Sequence, residues 1–402
     1  MHCSTISSKT DDLKLSIFDS IHLVNQAQWD GLVADNNVYL LSGYLKSLEN
    51  TLSDTIDFRY ILFYRSESAG HFEPVGVAIV QLLKFDLSDF NISDLKNRFN
   101  GLFSEKMFSK MEARVLLCGN AFSTGENGYL FCPTVDPELG KVNLSRALDR
   151  IKRDEKKSKN DVSVVLLKDF WPESFSYVKE MNHEDFIEFM IDVNMVLHFD
   201  ESWKTYDDYL EAMITKFRTK AKSIYKKSEA VQSRVMNQSE IVEHIDDINQ
   251  LYKNVVGLAN YRFAEIKAET FAEMAKNMGN NFVFTGYFIE NKMVGFSSGF
   301  KFKNIFDANF VGIDYDKNHE FAIYQRMLCD FVKLCFEHNL TELWLGRTAE
   351  EIKSCIGAEP IPMKLLIKHR NSIANKLIKP FVSKIAPSQF EIRKPFKAVY
   401  YQ

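Results

Sequence analysis

Two polar residues, Asp307 and Asn309, interrupt the otherwise apolar run Ile305–Ile313. The alternating pattern predicts a β-strand on which Asp307 and Asn309 point to one face while Phe310 points to the other. A carboxylate in a central strand is costly unless it meets a partner or faces a cleft. Asp307 is therefore a candidate to orient or deprotonate an amine. The alternative is a structural carboxylate with satisfied hydrogen bonds.

A second polar group follows the predicted strand 342–345, where Arg347 and Thr348 precede a short helix that carries Lys353. Ligands of α/β proteins gather at the carboxyl ends of strands. A guanidinium can hold a carboxylate or a phosphate through two parallel hydrogen bonds. We expect these three residues to bind an anionic group of a substrate. The alternative is an arginine at a helix start that pairs with a neighbouring glutamate.

Further candidates lie in a predicted helix and in a glycine-bearing loop. Tyr324 belongs to the apolar stripe of the helix 319–338, where it could protonate a leaving group or be a core aromatic residue. His319, at the predicted start of that helix, could act as a base or contact a phosphate. In the loop 119–128, Gly125 and its neighbours would allow close approach to a phosphate, and Glu126 adds a carboxylate.

Basic residues are concentrated in two places, although the chain has a net charge of −4. Arg218 lies with five lysines on the helical pattern 204–228, which could bind phosphates of a nucleotide, tRNA or lipid, or could be a solvated face. Residues 361–402 contain nine Lys and Arg against one acidic residue, Glu391. The helix that begins at 371 could contact a membrane surface or pack on its own core.

Composition limits the possible class of protein. The 402 residues, 46% hydrophobic and 26% charged, predict a globular chain with two or three domains. The lack of a global basic field argues against a DNA-binding protein. The six cysteines show no metal-binding spacing, so we expect no metal and a reducing compartment. Without a signal peptide or a spanning segment, the expected location is cytoplasmic, with contact to a membrane surface through the basic C-terminus.

The predicted elements run in roughly the same order in both halves of the chain. In the second half, helices are followed by three antiparallel strands, a helix, a strand, a short helix and a strand at 363–368. A strand at 192–199 is expected to close the first half. This order predicts an α/β protein with one approximate duplication, divided into domains 1–198 and 199–402.

Three stretches resemble the tandem-GNAT, FemAB-like branch of the GNAT acyltransferases, whose members include proteins of peptidoglycan biosynthesis or recognition. They are the stretch 202–220, SWKTYDDYLEAMITKFRTK; the stretch 311–315, VGIDY, with Tyr324; and the stretch 345–349, LGRTA, with Lys353. The resemblance implies two GNAT-like domains with mixed central sheets. It also implies attack of an amine on a thioester or ester carbonyl, held where two parallel strands part, without a metal, a covalently bound cofactor or a covalent enzyme intermediate.

The glycine-rich pyrophosphate loop of most GNAT domains is missing, because residues 314–320 read DYDKNHE. Three acidic side chains there would repel phosphates. Acyl-CoA, acyl carrier protein and aminoacyl-tRNA therefore remain alternative donors, and a lipid amine or a cell-envelope precursor remains the expected acceptor. A non-catalytic binding protein on a degenerate acyltransferase scaffold is the alternative function. A nucleic-acid-binding protein is a third, suggested by the basic helix alone.

Overall fold

The computed structural model describes residues 13–66, 71–86, 112–177, 185–257, 264–382 and 390–401. Two mixed β-sheets, each accompanied by helices, account for most of these residues. The predicted C-terminal helix is described as far as residue 382, and residues 383–389 lie outside the described part of the chain. No helix in the described part of the chain combines the length and the apolar character needed to cross a membrane.

The first sheet has eight strands, seven of which follow the order β1-β2-β3-β4-β6-β15-β7, while β5 pairs with β3. Its first four strands are antiparallel, and β4 then runs parallel to β6. The strands are β1 Lys14–Phe18, β2 Ile56–Ser66, β3 Phe72–Asp86, β4 Glu112–Cys118, β5 Tyr129–Phe131, β6 Val164–Phe170, β7 Ile187–Phe189 and β15 Lys364–His369.

The second sheet has seven strands in the order β14-β8-β13-β12-β11-β10-β9. It repeats the plan of the first, since β9 to β12 are antiparallel and β12 runs parallel to β13. The strands are β8 Val193–His198, β9 Gln232–Val235, β10 Phe282–Ile289, β11 Lys292–Phe302, β12 Ile305–Ile313, β13 Glu342–Trp344 and β14 Glu359–Pro362.

The two sheets exchange one strand each. β15, from the end of the chain, lies between β6 and β7 of the first sheet, and β8, from the first half, lies between β13 and β14 of the second. The expectation that the strand at 192–199 closes the first half is therefore wrong, because this strand pairs only in the second sheet. The boundary between residues 198 and 199 stays a prediction, and the sheets do not follow it.

The helices pack on both faces of the sheets. The single long helix expected at 204–228 is two helices that part at Met213 and Ile214. The helices are α1 Gln26–Val33, α2 Ser42–Leu52, α3 Pro137–Lys157, α4 Tyr206–Ala212, α5 Thr215–Lys227, α6 Gln238–Glu243, α7 Ile245–Val256, α8 Ala268–Met278, α9 Tyr315–Phe321, α10 Ile323–Glu337, α11 Glu350–Ser354 and α12 Ser372–Val382.

One apolar core joins the two halves. It includes side chains from both sheets, such as Leu62 of β2 and Phe296 of β11, together with α1, α2, α7 and α8. Helix α2 approaches α8 closely at Gly43, where a Cβ atom would lie 2.5 Å from the carbonyl oxygen of Asn277. Separate cores cover the outer faces, with α3 on the first sheet and α4, α5 and α10 on the second. A residue on the inner face of either sheet therefore lies near the junction of the halves.

Candidate functional site

Asp307 lies where the two parallel strands of the second sheet part. Strands β12 and β13 pair through three positions only, and the last joins Asp307 to Trp344. Strand β12 continues to Ile313, whereas β13 ends at Trp344. Parallel strands that stop pairing leave backbone groups and space between them. The structure thus places the predicted carboxylate at the start of the gap that the family resemblance implies.

A β-bulge shapes the strand immediately after Asp307. The register between β11 and β12 shifts between Ser297 and Gly299. Ser298 Oγ stabilises the bulge, because it accepts from Phe310 N and donates to Phe310 O, both at 3.2 Å. Phe310 consequently joins the inner core, so the predicted strict alternation is wrong at this residue. The bulge still leaves Asp307 and Asn309 directed toward the same partner, Tyr39.

Tyr39, from the first half of the chain, is the direct partner of Asp307. Its hydroxyl donates to Asp307 Oδ2 at 2.6 Å and accepts from Asn309 Nδ2 at 3.2 Å. Tyr39 lies in a 3-10 turn whose preceding residue, Asn37, accepts from Tyr39 N at 3.1 Å. Asn37 Nδ2 in turn donates to the carbonyl oxygen of Glu126 at 3.1 Å. The first half therefore positions the carboxylate of the second.

The electrostatic environment favours a protonated Asp307. Its side chain is only 3% exposed. Burial raises its pKa from the ordinary aspartate range to about 7, and the hydrogen bond from Tyr39 opposes this rise. Burial, and then the neighbouring carboxylate, raise the pKa of Tyr39 well above the ordinary tyrosine value. Asp307 therefore changes charge near neutral pH, as a general base does when its pKa matches the working pH.

Aromatic side chains pack against Tyr39, the partner of this carboxylate. The ring of Phe300 packs edge-on against Tyr39 at 5.3 Å between centroids. Farther along, Trp344 contacts Phe302 at 5.7 Å and Trp171 of the first half at 5.1 Å. The last three are half-buried. The sequence analysis missed the contacts of Tyr39 with Phe300 and of Trp171 with Trp344, since nothing in the local pattern indicates a partner more than a hundred positions away.

The predicted anion-binding arginine is already paired across the junction. Arg347 Nη2 contacts Asp169 of β6, a fully buried carboxylate that also lies 2.7 Å from Lys168 Nζ. Lys168 Nζ donates to the carbonyl oxygens of Asn120, at 2.8 Å, and Ser123. Burial lowers the pKa of Lys168 to about 8. In this structure Arg347 thus joins the two halves, and its binding of a substrate anion stays a prediction.

Lys353 and Thr348 shape the loop that carries Arg347. The buried Lys353 Nζ donates to Arg347 O at 2.5 Å and to Gly346 O at 3.4 Å, and burial lowers its pKa to about 7. Thr348 has a φ of 62°, in the left-handed region that non-glycine residues rarely adopt. The hydrogen bonds from Lys353 therefore stabilise a strained loop, and its contact with a ligand stays a prediction.

The glycine loop 119–128 packs against Trp171. Gly125, with a φ of 101°, packs on Trp171, from which an added Cβ would be 2.9 Å. Glu126 Oε1 accepts from Trp171 N at 2.8 Å, and burial raises the pKa of this carboxyl group. Because carbonyl oxygens of this loop bind the ammonium of Lys168, the loop has a polarity opposite to that of a phosphate cradle. The phosphate role of Gly125 and Glu126 stays a prediction.

The remaining predicted site residues lie on the outer side of the second sheet. Tyr324 packs against the core beneath α10, and Asp307 faces the inner core, so the structure does not bring the two hydroxyl and carboxyl groups together. His319 lies in α9, where its carbonyl oxygen accepts from Lys227 Nζ at 2.9 Å. Arg218 lies on α5. Burial raises the pKa of Tyr324 above the ordinary tyrosine value.

The raised pKa of Asp307 predicts a pH-dependent stability. The folded state binds the proton more tightly than the unfolded chain, so this stabilisation is complete below about pH 4 and is lost as pH rises through about 7. The variant Asp307→Asn cannot ionise. Between about pH 4 and 7 the wild type therefore loses stability that the variant keeps, so we expect the free energy of unfolding of Asp307→Asn to rise relative to that of the wild type over this range, by at most ~4 kcal/mol. Urea titrations at several pH values would measure this, and a constant difference would contradict the raised pKa.

Comparisons with known proteins support the fold at low sequence identity. No protein-family model matches the chain, and no curated protein matches its sequence. The crystal structure of FemX matches with a TM-score of 0.53 and 10% identity, covering 89% of this chain and 98% of that one. A tandem GNAT protein from the clavulanic acid biosynthesis pathway matches with a TM-score of 0.51 and 10% identity, covering 89% and 99%.

Proposed function

The chain has the tandem-GNAT, FemAB-like fold that the sequence predicts, and from this premise we propose that it is an N-acyltransferase. One observation carries the proposal: a buried carboxylate, Asp307, lies where the parallel strands part and has a pKa of about 7. A structural carboxylate would be expected to have an ion-pair partner. Asp307 has instead a tyrosine hydroxyl, which can hold it without neutralising it.

The proposed reaction needs positioning and one proton acceptor. An acceptor amine attacks the carbonyl carbon of the donor, which lies in the gap beyond Asp307. A C–N bond forms, the bond from carbonyl carbon to the carrier's sulfur or oxygen breaks, and Asp307 takes the proton from nitrogen. Asp307 then gives this proton to the carrier's sulfur or oxygen, so the carrier leaves as a thiol or hydroxyl and the carboxylate is restored. Tyr39 and Asn309 orient the carboxylate for this transfer.

The donor and acceptor are proposed as classes. The donor is an acyl or aminoacyl group on coenzyme A, acyl carrier protein or tRNA. The stretch 314–320 has no glycine and three acidic residues, so it does not suit the binding of a pyrophosphate by a glycine-rich loop. The acceptor is an amine of a lipid or of a cell-envelope precursor, since the half-buried rings of Phe302, Trp344 and Trp171 offer an apolar wall next to the carboxylate.

A binding protein without catalysis is the second candidate. The observation that favours it is the closed state of the site, where Asp307 is 3% exposed and is bound by Tyr39. A catalytic site must admit an amine at this point. If the halves do not open here, the same scaffold would bind a partner without reacting.

The pH dependence of acyl transfer tests the proposal. Transfer from acetyl-CoA, acyl carrier protein and charged tRNA to primary amines would be measured across pH. With the productive donor, kcat/KM should rise with pH and level off above about pH 7, because Asp307 can accept the proton of the attacking amine only in its ionised form. In Tyr39→Phe, the loss of a hydrogen bond to the charged form should move this midpoint to higher pH. No transfer from any donor would favour the second candidate.

A further inference from the structure

A basic face lies on the second half, away from Asp307. Helix α5 carries six basic residues and no acidic residue. We define the basic face as α5 together with the C-terminal segment 390–401. The segment is held against the start of α5, because Ile214 N donates to Pro395 O at 2.9 Å. Lys216, Lys220 and Lys222 of this helix are exposed, and within the described part of the chain no ion pair joins their ammonium groups to a carboxylate.

Exposed aliphatic side chains accompany these lysines. Ile214, which precedes α5, is 39% exposed, Ile352 of α11 is 38% exposed and Ile392 of the C-terminal segment is 43% exposed. The segment links these positions, since Arg393 N donates to Ser354 Oγ of α11 at 3.0 Å. Glu351 and Glu391, the acidic residues beside them, both pair with Arg393. The face thus combines apolar side chains with free positive charge.

An apolar groove opens on the same face. The residues that line it include Phe217, Ile224 and Leu328, together with Lys220 and Ile352. Inside it, Gln325 Oε1 is buried without a hydrogen-bond partner in the described part of the chain. The groove therefore adds an apolar recess, lined by Phe217, Ile224 and Leu328, to the exposed isoleucines of this face.

We propose that the basic face binds the surface of an anionic phospholipid membrane. Lysines near a bilayer are attracted to anionic headgroups, and exposed aliphatic side chains insert at the boundary with the acyl chains. Nucleic acid would use the lysines but would gain little from three exposed isoleucines, because phosphate and sugar contacts are polar. The position of the face is distinct from helix α12, and the proposal does not depend on the acyl-transfer reaction.

Vesicle co-sedimentation of the full chain tests the proposal. Vesicles of phosphatidylcholine alone would be compared with vesicles containing about one quarter phosphatidylglycerol. We expect binding to the anionic vesicles only, weakened by salt. The triple variant Lys216→Glu, Lys220→Glu, Lys222→Glu should bind anionic vesicles at least about 100-fold more weakly, since each lysine near an anionic membrane surface contributes to the binding free energy. The matched control reverses three exposed charges of α3: Arg150→Glu, Arg153→Glu and Lys156→Glu.

The aliphatic residues separate a membrane from other anionic partners. Ile214→Ser with Ile392→Ser should weaken vesicle binding about tenfold through lost apolar burial, while Val142→Ser, on α3, should not. Circular dichroism would confirm that each variant is folded. Equal binding of the control and basic-face triple variants would overturn the proposal. So would isoleucine variants that bind vesicles normally, and binding of tRNA or of acidic proteins in place of vesicles would assign the face to those partners.

Discussion

The variant Asp307→Asn should transfer acyl groups about 100- to 10,000-fold more slowly than the wild type, which is the range that a positioned general base contributes. Asparagine has nearly the same volume and keeps an oxygen that can accept from the Tyr39 hydroxyl. The fold should therefore persist while the proton acceptor is lost. The measurement is kcat with the productive donor at a pH of about 8, where the wild-type carboxylate is ionised.

Two controls show whether the effect of Asp307→Asn comes from the chemistry. Asp207→Asn removes an exposed carboxylate from the first turn of α4 and should leave kcat unchanged. The rate of Asp307→Asn should also lose its rise through about pH 7, because the group that titrates there is gone. Full activity with the same pH profile as the wild type would exclude Asp307 as the base and would direct attention to another group at the gap.

The variant Asp169→Asn should lower the free energy of unfolding by about 3–5 kcal/mol, as expected when one partner of a buried ion pair is removed. Asp169 is fully buried between Lys168 and Arg347, so its replacement removes the carboxylate that both cations share. Asparagine tolerates the left-handed φ of 62° at this position, which separates the charge effect from backbone strain. Denaturant titration would measure the change.

An exposed ion pair provides the matched control for Asp169→Asn. Asp161 lies 2.9 Å from Arg370, and both side chains are about half exposed. Asp161→Asn should change stability by at most about 1 kcal/mol. The loss in Asp169→Asn should also shrink at high pH, because Lys168 can then lose its proton and relieve the repulsion. Similar small losses in both variants would mean that the junction does not depend on this cluster.

Local pattern was sufficient to predict the three strands β10, β11 and β12 and to single out Asp307 as a polar residue in one of them, while its catalytic role stays a prediction. The alternation along β10, β11 and β12 reports one buried face, and a polar residue within it stands out. The exchange of β8 and β15 could not be predicted in this way. Their apolar sequences fit any central position of a sheet, so they carry no signal that selects one sheet over the other.

The partner of Asp307 could not be predicted from the sequence for a different reason. Tyr39 is 268 positions away, and its place depends on a 3-10 turn held by Asn37 and the glycine loop. Likewise, Arg347 was expected to meet a ligand or a glutamate of its own helix, whereas it meets Asp169 of the other half. In each case the decisive contact is long-range, and single-sequence patterns report only neighbours along the chain.

The exchanged strands make the two halves a topological interlock. A cut between residues 198 and 199 would give two pieces that each hold a strand belonging to the other, and β7 would lose β15, the strand with which it pairs in the first sheet. Neither piece could complete its sheet alone, although the two together could complement each other. Evolution of either half is constrained accordingly: a gain or loss of residues between β7 and β8, or between β14 and β15, alters both sheets at once.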